Sequence, residues 1–143
     1  MTLEWRPAQA SEAEALADLR VAALRESLEA LGRFNAERGR QNFLRGFNPA
    51  ETRTLWLNGR RLGLVTVRHR GDHVWLDQLY LDPSETGKGL GSEALRQVQA
   101  EAQAAGLPIR LMALKESRAN GFYRRHGFRF VEALAWDNLY QWP

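Results

Sequence analysis

The stretch from His73 to Leu114 constrains the fold most, because its residue pattern changes twice within about forty positions. His73–Leu81 (His-Val-Trp-Leu-Asp-Gln-Leu-Tyr-Leu) reads as a strand, ended by Asp82-Pro83. Ser84 to Gly91 is a glycine-rich loop. A helix runs from about Leu90 to Ala105, with Ala94, Leu95, Val98 and Ala102 on its buried side, and Gly106 and Pro108 stop it. Ile109–Leu114 is a short apolar strand. Strand, loop, helix, strand is a crossover unit, so these two strands should run parallel.

Around this unit the chain reads differently. Residues 2–7 alternate as a first strand, and Ser11 with Glu14 has the spacing of a capping box. A helix to about Leu31 carries Leu16, Leu19, Ala23, Leu24 and Leu28 on one stripe, and Gly32 ends it. A second helix, interrupted by Gly39, is expected from about Asn35 to Phe47. Thr52–Leu57 and Leu62–Arg68 are strands joined by the hairpin turn Asn58-Gly59, and Gly71-Asp72 turns the chain again into the strand at His73. After Leu114 a shorter helix is expected from Arg118 to His126, then strands over Phe128–Ala135 and Asn138–Trp142. The sum is α/β, or α+β by a stricter definition. It is a mixed, mostly antiparallel sheet with helices on both faces, in one domain over residues 1–143.

Composition narrows the chemistry. The 143 residues include no cysteine, which excludes disulfides, thiolate metal sites and an acyl-cysteine intermediate. Residues 1–20 hold four acidic side chains and no long apolar run, unlike a signal peptide, and no segment elsewhere has the length of a membrane span. The expectation is a cytoplasmic protein with no membrane partner. Twenty basic residues against seventeen acidic give a net charge of +3, with no concentrated basic patch, so no nucleic-acid partner is expected. His69 and His73 are four apart across a turn rather than along a helix, and no metal site is expected.

Two segments carry the chemistry. Glu85-Thr86-Gly87-Lys88-Gly89-Leu90-Gly91-Ser92 lies between a strand and a helix. Main-chain amides at such a junction point outward, the helix dipole adds partial positive charge, and glycine lets an anion approach. The inference is a phosphate or pyrophosphate site. The loop lacks both the Gly-Lys-Ser/Thr ending of a P-loop and the Gly-x-Gly-x-x-Gly order of a dinucleotide fold. The second segment is Arg118-Ala119-Asn120-Gly121-Phe122-Tyr123-Arg124-Arg125-His126-Gly127-Phe128. Phe122 and Phe128 read as core, whereas the Tyr123 hydroxyl at a helix end can donate a proton to a leaving group.

The order Leu-Tyr-Leu-Asp-Pro, glycine-rich loop, helix, short strand, Arg-Ala, Phe-Tyr, His-Gly-Phe resembles the GNAT superfamily of acyl-CoA-dependent N-acyltransferases. The resemblance covers roughly residues 2–135, with its sharp motifs in 79–128. It implies that the amides of Thr86, Gly87, Lys88, Gly89, Leu90, Gly91 and Ser92 bind the coenzyme A pyrophosphate. It implies too that Leu79, Tyr80 and Leu81 pair with the pantetheine arm as an added strand would. The family's thiolate-protonating tyrosine falls on Tyr123. Two positions depart from the pattern. Thr86 stands where Gln or Arg is usual, and Glu116 stands where Asn is frequent, so Ser117 or Asn120 is expected to supply that amide-like contact.

The resulting expectation is an N-acetyltransferase that uses acetyl-CoA as acyl donor and an amine-bearing acceptor attacking directly in a ternary complex. Tyr123 is the candidate acid, and Asp77, on the strand before the loop, the candidate base. The carbonyl partner would be a backbone N–H around Leu79–Leu81, which requires that strand to bulge or splay. The acceptor is expected between the first two helices and the far end of the sheet, near aromatics such as Phe43 and Trp56. Two alternatives stand beside this: a non-catalytic acyl-CoA sensor on the same fold, and an interaction domain forming a homodimer through the C-terminal strand.

Overall fold

The computed structural model describes residues 2–143. Among them are seven strands in one mixed, mostly antiparallel sheet, ordered β1-β2-β3-β4-β5-β7-β6, and four α-helices. The strands are β1 (Glu4–Pro7), β2 (Thr52–Leu57), β3 (Arg60–His69), β4 (Val74–Leu81), β5 (Ile109–Leu114), β6 (Arg129–Ala133) and β7 (Asp137–Trp142). The helices are α1 (Ala13–Ala30), α2 (Ala36–Gly46), α3 (Leu90–Ala105) and α4 (Ala119–Arg125). The chain packs as two compact units. The first comprises residues up to Thr66 with Gln78–Ala94, and the second Val67–Asp77 with Leu95–Pro143.

In the first unit β1, β2 and β3 form antiparallel ladders, with Trp5 opposite Leu55 and Thr54 opposite Leu64. The Asn58-Gly59 turn has both residues at positive φ, 51° and 76°, as a primed hairpin turn requires. α1 starts at Ala13, but the capping box lies two residues earlier than its sequence suggests, on the 3₁₀ turn that precedes the helix. The Gln9 N–H donates to Glu12 Oε1 at 2.9 Å, so the box closes on Gln9 and Glu12 instead of Ser11 and Glu14. Ser11 lies inside a short 3₁₀ turn, Ala10–Glu12, that leads into the helix. α1 ends as expected: Gly32 is left-handed and the Arg33 N–H reaches back to the Leu28 carbonyl at 2.9 Å.

Gly39 does not break α2, because it is a packing residue. A Cβ there would lie 3.3 Å from Val21 Cγ2, so glycine permits close approach of α2 to α1. Leu16, Ala17, Phe43, Leu64 and Ala8 form the buried cluster under these helices, with Leu19, Leu44, Phe47 and Tyr80 packed against it. Full burial of each large side chain stabilises by about 1.5–3 kcal/mol. Phe43 is therefore core rather than a wall of an acceptor site. Leu24 and Leu28, expected on the same stripe, are only half-buried.

In the second unit β4 and β5 run parallel, with Val74 opposite Ile109 and Trp75 opposite Arg110, as the crossover rule predicts. β7 pairs antiparallel with β5 along its length and also with β6. Both edges of the C-terminal strand are thus used, so it does not offer the free edge that a strand-paired homodimer would need. The terminal strand of the order is β6 instead, and its register shifts between Phe130 and Glu132, a bulge that blunts edge pairing. β6 ends at Ala133 and β7 begins at Asp137, each within two residues of its expected bound.

Candidate functional site

The glycine-rich loop belongs wholly to the first unit. Asp82 opens it as a cap: its carboxylate accepts from the Ser84 N–H at 2.9 Å and the Ser84 hydroxyl at 2.8 Å. These two donors, the backbone one foremost, hold the Asp82 carboxyl below the ordinary carboxylate value against an opposing effect of burial. A 3₁₀ turn, Pro83–Glu85, follows, and the Thr86 hydroxyl donates to the Pro83 carbonyl at 3.0 Å. The side chain at the position where the family usually has Gln or Arg is therefore spent inside the loop.

Gly87 and Gly89 both sit at positive φ, 80° and 78°. An added Cβ at either would meet nothing within 4 Å, so conformation rather than space demands glycine there. The consequence is a run of outward amides. Among the described residues, the N–H groups of Gly87, Lys88, Gly89, Leu90, Gly91 and Ser92 donate to no protein acceptor, and the helical ladder starts with Glu93 N–H to Gly89 carbonyl at 3.1 Å. Leu90 is 2% exposed, so its side chain anchors the helix start.

Beside the loop lies a concavity of about 330 Å³ lined by Leu57, Asn58, Arg60, Leu62, Glu85 and Lys88. Glu85 is buried and ion-paired with Arg60 and, at 3.3 Å, with Lys88. Two cations on one carboxylate leave this rim with one surplus positive charge. The residue whose main-chain amide is expected at the cofactor, Lys88, thus has its ammonium anchored on Glu85, a pairing that sequence reading missed. A carboxylate three residues before a lysine in a loop was the available signal.

Leu79–Leu81 also lie in the first unit. Gly63 on β3 lets this part of β4 approach closely: a Cβ there would sit 2.8 Å from the Tyr80 carbonyl oxygen and from Leu81 Cδ2. The Asp82 N–H then donates to the Leu62 carbonyl at 2.7 Å and fixes the strand end from which the loop departs.

The second unit holds Asp77, Asn120 and Tyr123. Asp77 is not an open carboxylate. Its Oδ2 accepts from Arg68 Nε at 3.0 Å and Nη2 at 2.8 Å, and Oδ1 faces the Trp75 indole N–H at 3.4 Å. Asn120 is a node: its Nδ2 donates to the Leu114 carbonyl at 3.0 Å and the Ser117 carbonyl at 2.9 Å, and its Oδ1 accepts from Asn138 at 3.0 Å and Tyr140 at 2.8 Å. Glu116, where the family often has Asn, takes a left-handed φ of 66°, a conformation that Asn tolerates better than Glu. Tyr123 is 8% exposed, with Phe122 and Phe128 rings at 5.2 and 5.4 Å. Its carbonyl accepts from the His126 and Phe128 N–H groups at 3.0 and 3.1 Å, and Gly127 in the left-handed region completes the cap.

Comparison with known proteins follows the same lines. The structure is similar to the PaiA N-acetyltransferase of Thermoplasma acidophilum, solved with coenzyme A, at 16% identity over 99% of this chain and 98% of that one (TM-score 0.76). It is similar to an acetyltransferase of Thermus thermophilus at 18% identity over 100% and 97% of the two chains (TM-score 0.77). The N-acetylglutamate synthase of Neisseria gonorrhoeae, solved with coenzyme A and N-acetylglutamate, matches 99% of this chain with 35% of its own, at 14% identity (TM-score 0.69). At these identities the likeness is one of fold. No curated protein matches the sequence. Residues 14–128 match the model of the acetyltransferase (GNAT) family, and the chain belongs to that family.

Proposed function

We propose that the chain transfers an acetyl group from acetyl-CoA to a primary amine by direct attack within a ternary complex. The observation that carries this is the run of six outward amides, Gly87 to Ser92, at the start of α3. A pyrophosphate needs such a set of N–H donors beside a helix N-terminus, and the Arg60–Glu85–Lys88 rim adds positive charge. Coenzyme A in the Thermoplasma and Neisseria structures supports the same cofactor.

When bound, acetyl-CoA supplies an acyl carbon activated as a thioester. The chain's residues do the rest. The loop amides hold the pyrophosphate, and Leu79, Tyr80 and Leu81 offer main-chain groups to the pantetheine arm. The attacking amine gives up its proton to solvent, and Tyr123 Oη donates one to the departing thiolate and is reprotonated from solvent. With no cysteine in the chain, no residue of it can carry the acyl group as a thioester, and direct attack by the amine is the economical route. Asp77, with its Oδ2 engaged by Arg68, serves as a positioning residue rather than the base. Asn120 does the same for α4 through its bonds to Leu114 and Ser117. Work on acetyl-CoA suits the cytoplasm, and no helix among the described residues is long and apolar enough to cross a membrane.

The test is thiol release from acetyl-CoA across a panel of amines, with Tyr123→Phe as control. Release with at least one amine, lost in the variant, is expected. Binding of acetyl-CoA with no release for any amine would favour the sensor reading, for which the engagement of Asp77 is the supporting observation.

A further inference from the structure

Arg20 is a guanidinium held in place without a counter-ion. It lies on α1 four residues after the fully buried Leu16, hence on the inward side of the helix. Its Nε donates to Gln78 Oε1 at 3.0 Å and its Nη1 to the Gly39 carbonyl at 3.3 Å. Both acceptors are neutral. Arg40, Arg61 and Arg68, likewise half-buried, each close on carboxylates: Glu14 with Asp18, Glu12, and Asp77. Among the described residues no carboxylate pairs with Arg20.

The remaining donors are accessible. Nη2 has no protein acceptor, yet every fully buried side-chain nitrogen or oxygen among the described residues has a partner. Nη2 therefore faces solvent. Gln78 spends its oxygen on Arg20, which turns its amide N–H₂ into a second donor beside the guanidinium. A half-desolvated, rigidly held cation that lacks its anion is costly unless an anion arrives. Its place is informative as well, since Gln78 directly precedes Leu79–Leu81 on β4.

We propose that Arg20, with the Gln78 amide beside it, binds a carboxylate of the acceptor, so that the acceptor class is a small amine bearing a carboxylate. This rests on the acetyl-transfer reading. A charge-assisted bond of this kind is worth about 10- to 100-fold in specificity.

The experiment compares thiol release for L-amino acids with that for the corresponding amino-acid amides, which keep the amine and lose the negative charge. With the unsubstituted protein, kcat/KM for the acids should exceed that for the amides about 10- to 100-fold, mainly through KM. In Arg20→Gln that preference should collapse to within about threefold. Amides that react as well as acids with the unsubstituted protein would overturn the proposal while leaving the transferase reading intact. A preference that survives Arg20→Gln would overturn the role of Arg20. Thiol release with neither set nor any other amine would overturn the transferase reading, and this proposal with it.

Discussion

Arg68 and Asp77 face each other from β3 and β4, with both Nε and Nη2 of the arginine on one carboxylate oxygen. The Arg68 side chain is 13% exposed and that of Asp77 31%. Removing the cation alone leaves a half-buried carboxylate unpaired. Arg68→Met should therefore lower stability by about 1–3 kcal/mol, and Asp77→Asn by less. Under the proposed positioning role, Asp77→Asn should also keep kcat within about tenfold. Denaturant midpoints and steady-state rates on the two variants check both statements, and a fall of ~10²-fold in Asp77→Asn would return the base role to this residue.

Tyr123→Phe removes one hydroxyl from a residue whose ring and carbonyl contacts stay in place. Turnover should drop by ~10²-fold or more, while stabilisation by acetyl-CoA is retained. An unchanged kcat would remove the acid role.

Gly89→Ala forces a β-carbon into a left-handed residue at φ 78°. The strain should cost about 1–2 kcal/mol of stability and misdirect the neighbouring amides, so the acetyl-CoA-induced rise in Tm should shrink along with Tm itself. A variant with unaltered stability and unaltered ligand response would show that the loop's backbone conformation does not matter.

Asn120 and Tyr140 test the second unit's internal frame. Tyr140→Phe leaves Asn120 Oδ1 its bond from Asn138, so the loss should be about 1 kcal/mol. Asn120→Ala leaves the Leu114 and Ser117 carbonyls and the Tyr140 hydroxyl short of a partner, and about 2–4 kcal/mol is expected. Thermal or denaturant unfolding ranks the two.

The Asp82 cap predicts an acid-sensitive loop. Its folded carboxyl titrates below the ordinary value because Ser84 donates to its charged form. A depressed folded value means that the contribution is complete above the unfolded value, about 3.9, and is lost as pH falls through the folded one. The stability gap between the unsubstituted protein and Asp82→Asn should thus be constant near neutrality and shrink below about pH 4. A gap independent of pH down to acid unfolding would contradict the assignment.

Much of this was legible in the residues because the signals are local. The Asn58-Gly59 hairpin, the glycine stops at Gly32, Gly106 and Gly127, and the outward amides before α3 each follow from turn and cap chemistry within a few positions. What escaped depends on partners distant in sequence. Nothing near Gly39 announces that Val21 packs against it, and nothing near Asn120 announces Tyr140. The placement of β7 between β5 and β6 is a choice of topology that strand pattern alone leaves open. Arg20 did carry a sequence trace, a charge at helical spacing from Leu16, but its missing counter-ion is visible only once Gln78 and Gly39 are beside it.

The central claim is that the loop from Gly87 to Ser92 holds acetyl-CoA. The melting temperature of the purified protein with millimolar acetyl-CoA, against ATP as the phosphate control, tests it most directly. Ligand that binds only the folded chain stabilises it by RT ln(1 + [L]/Kd). A rise with acetyl-CoA and none with ATP is expected. No rise with acetyl-CoA, or an equal rise with both, would contradict the account and leave the loop a structural turn or a general anion site.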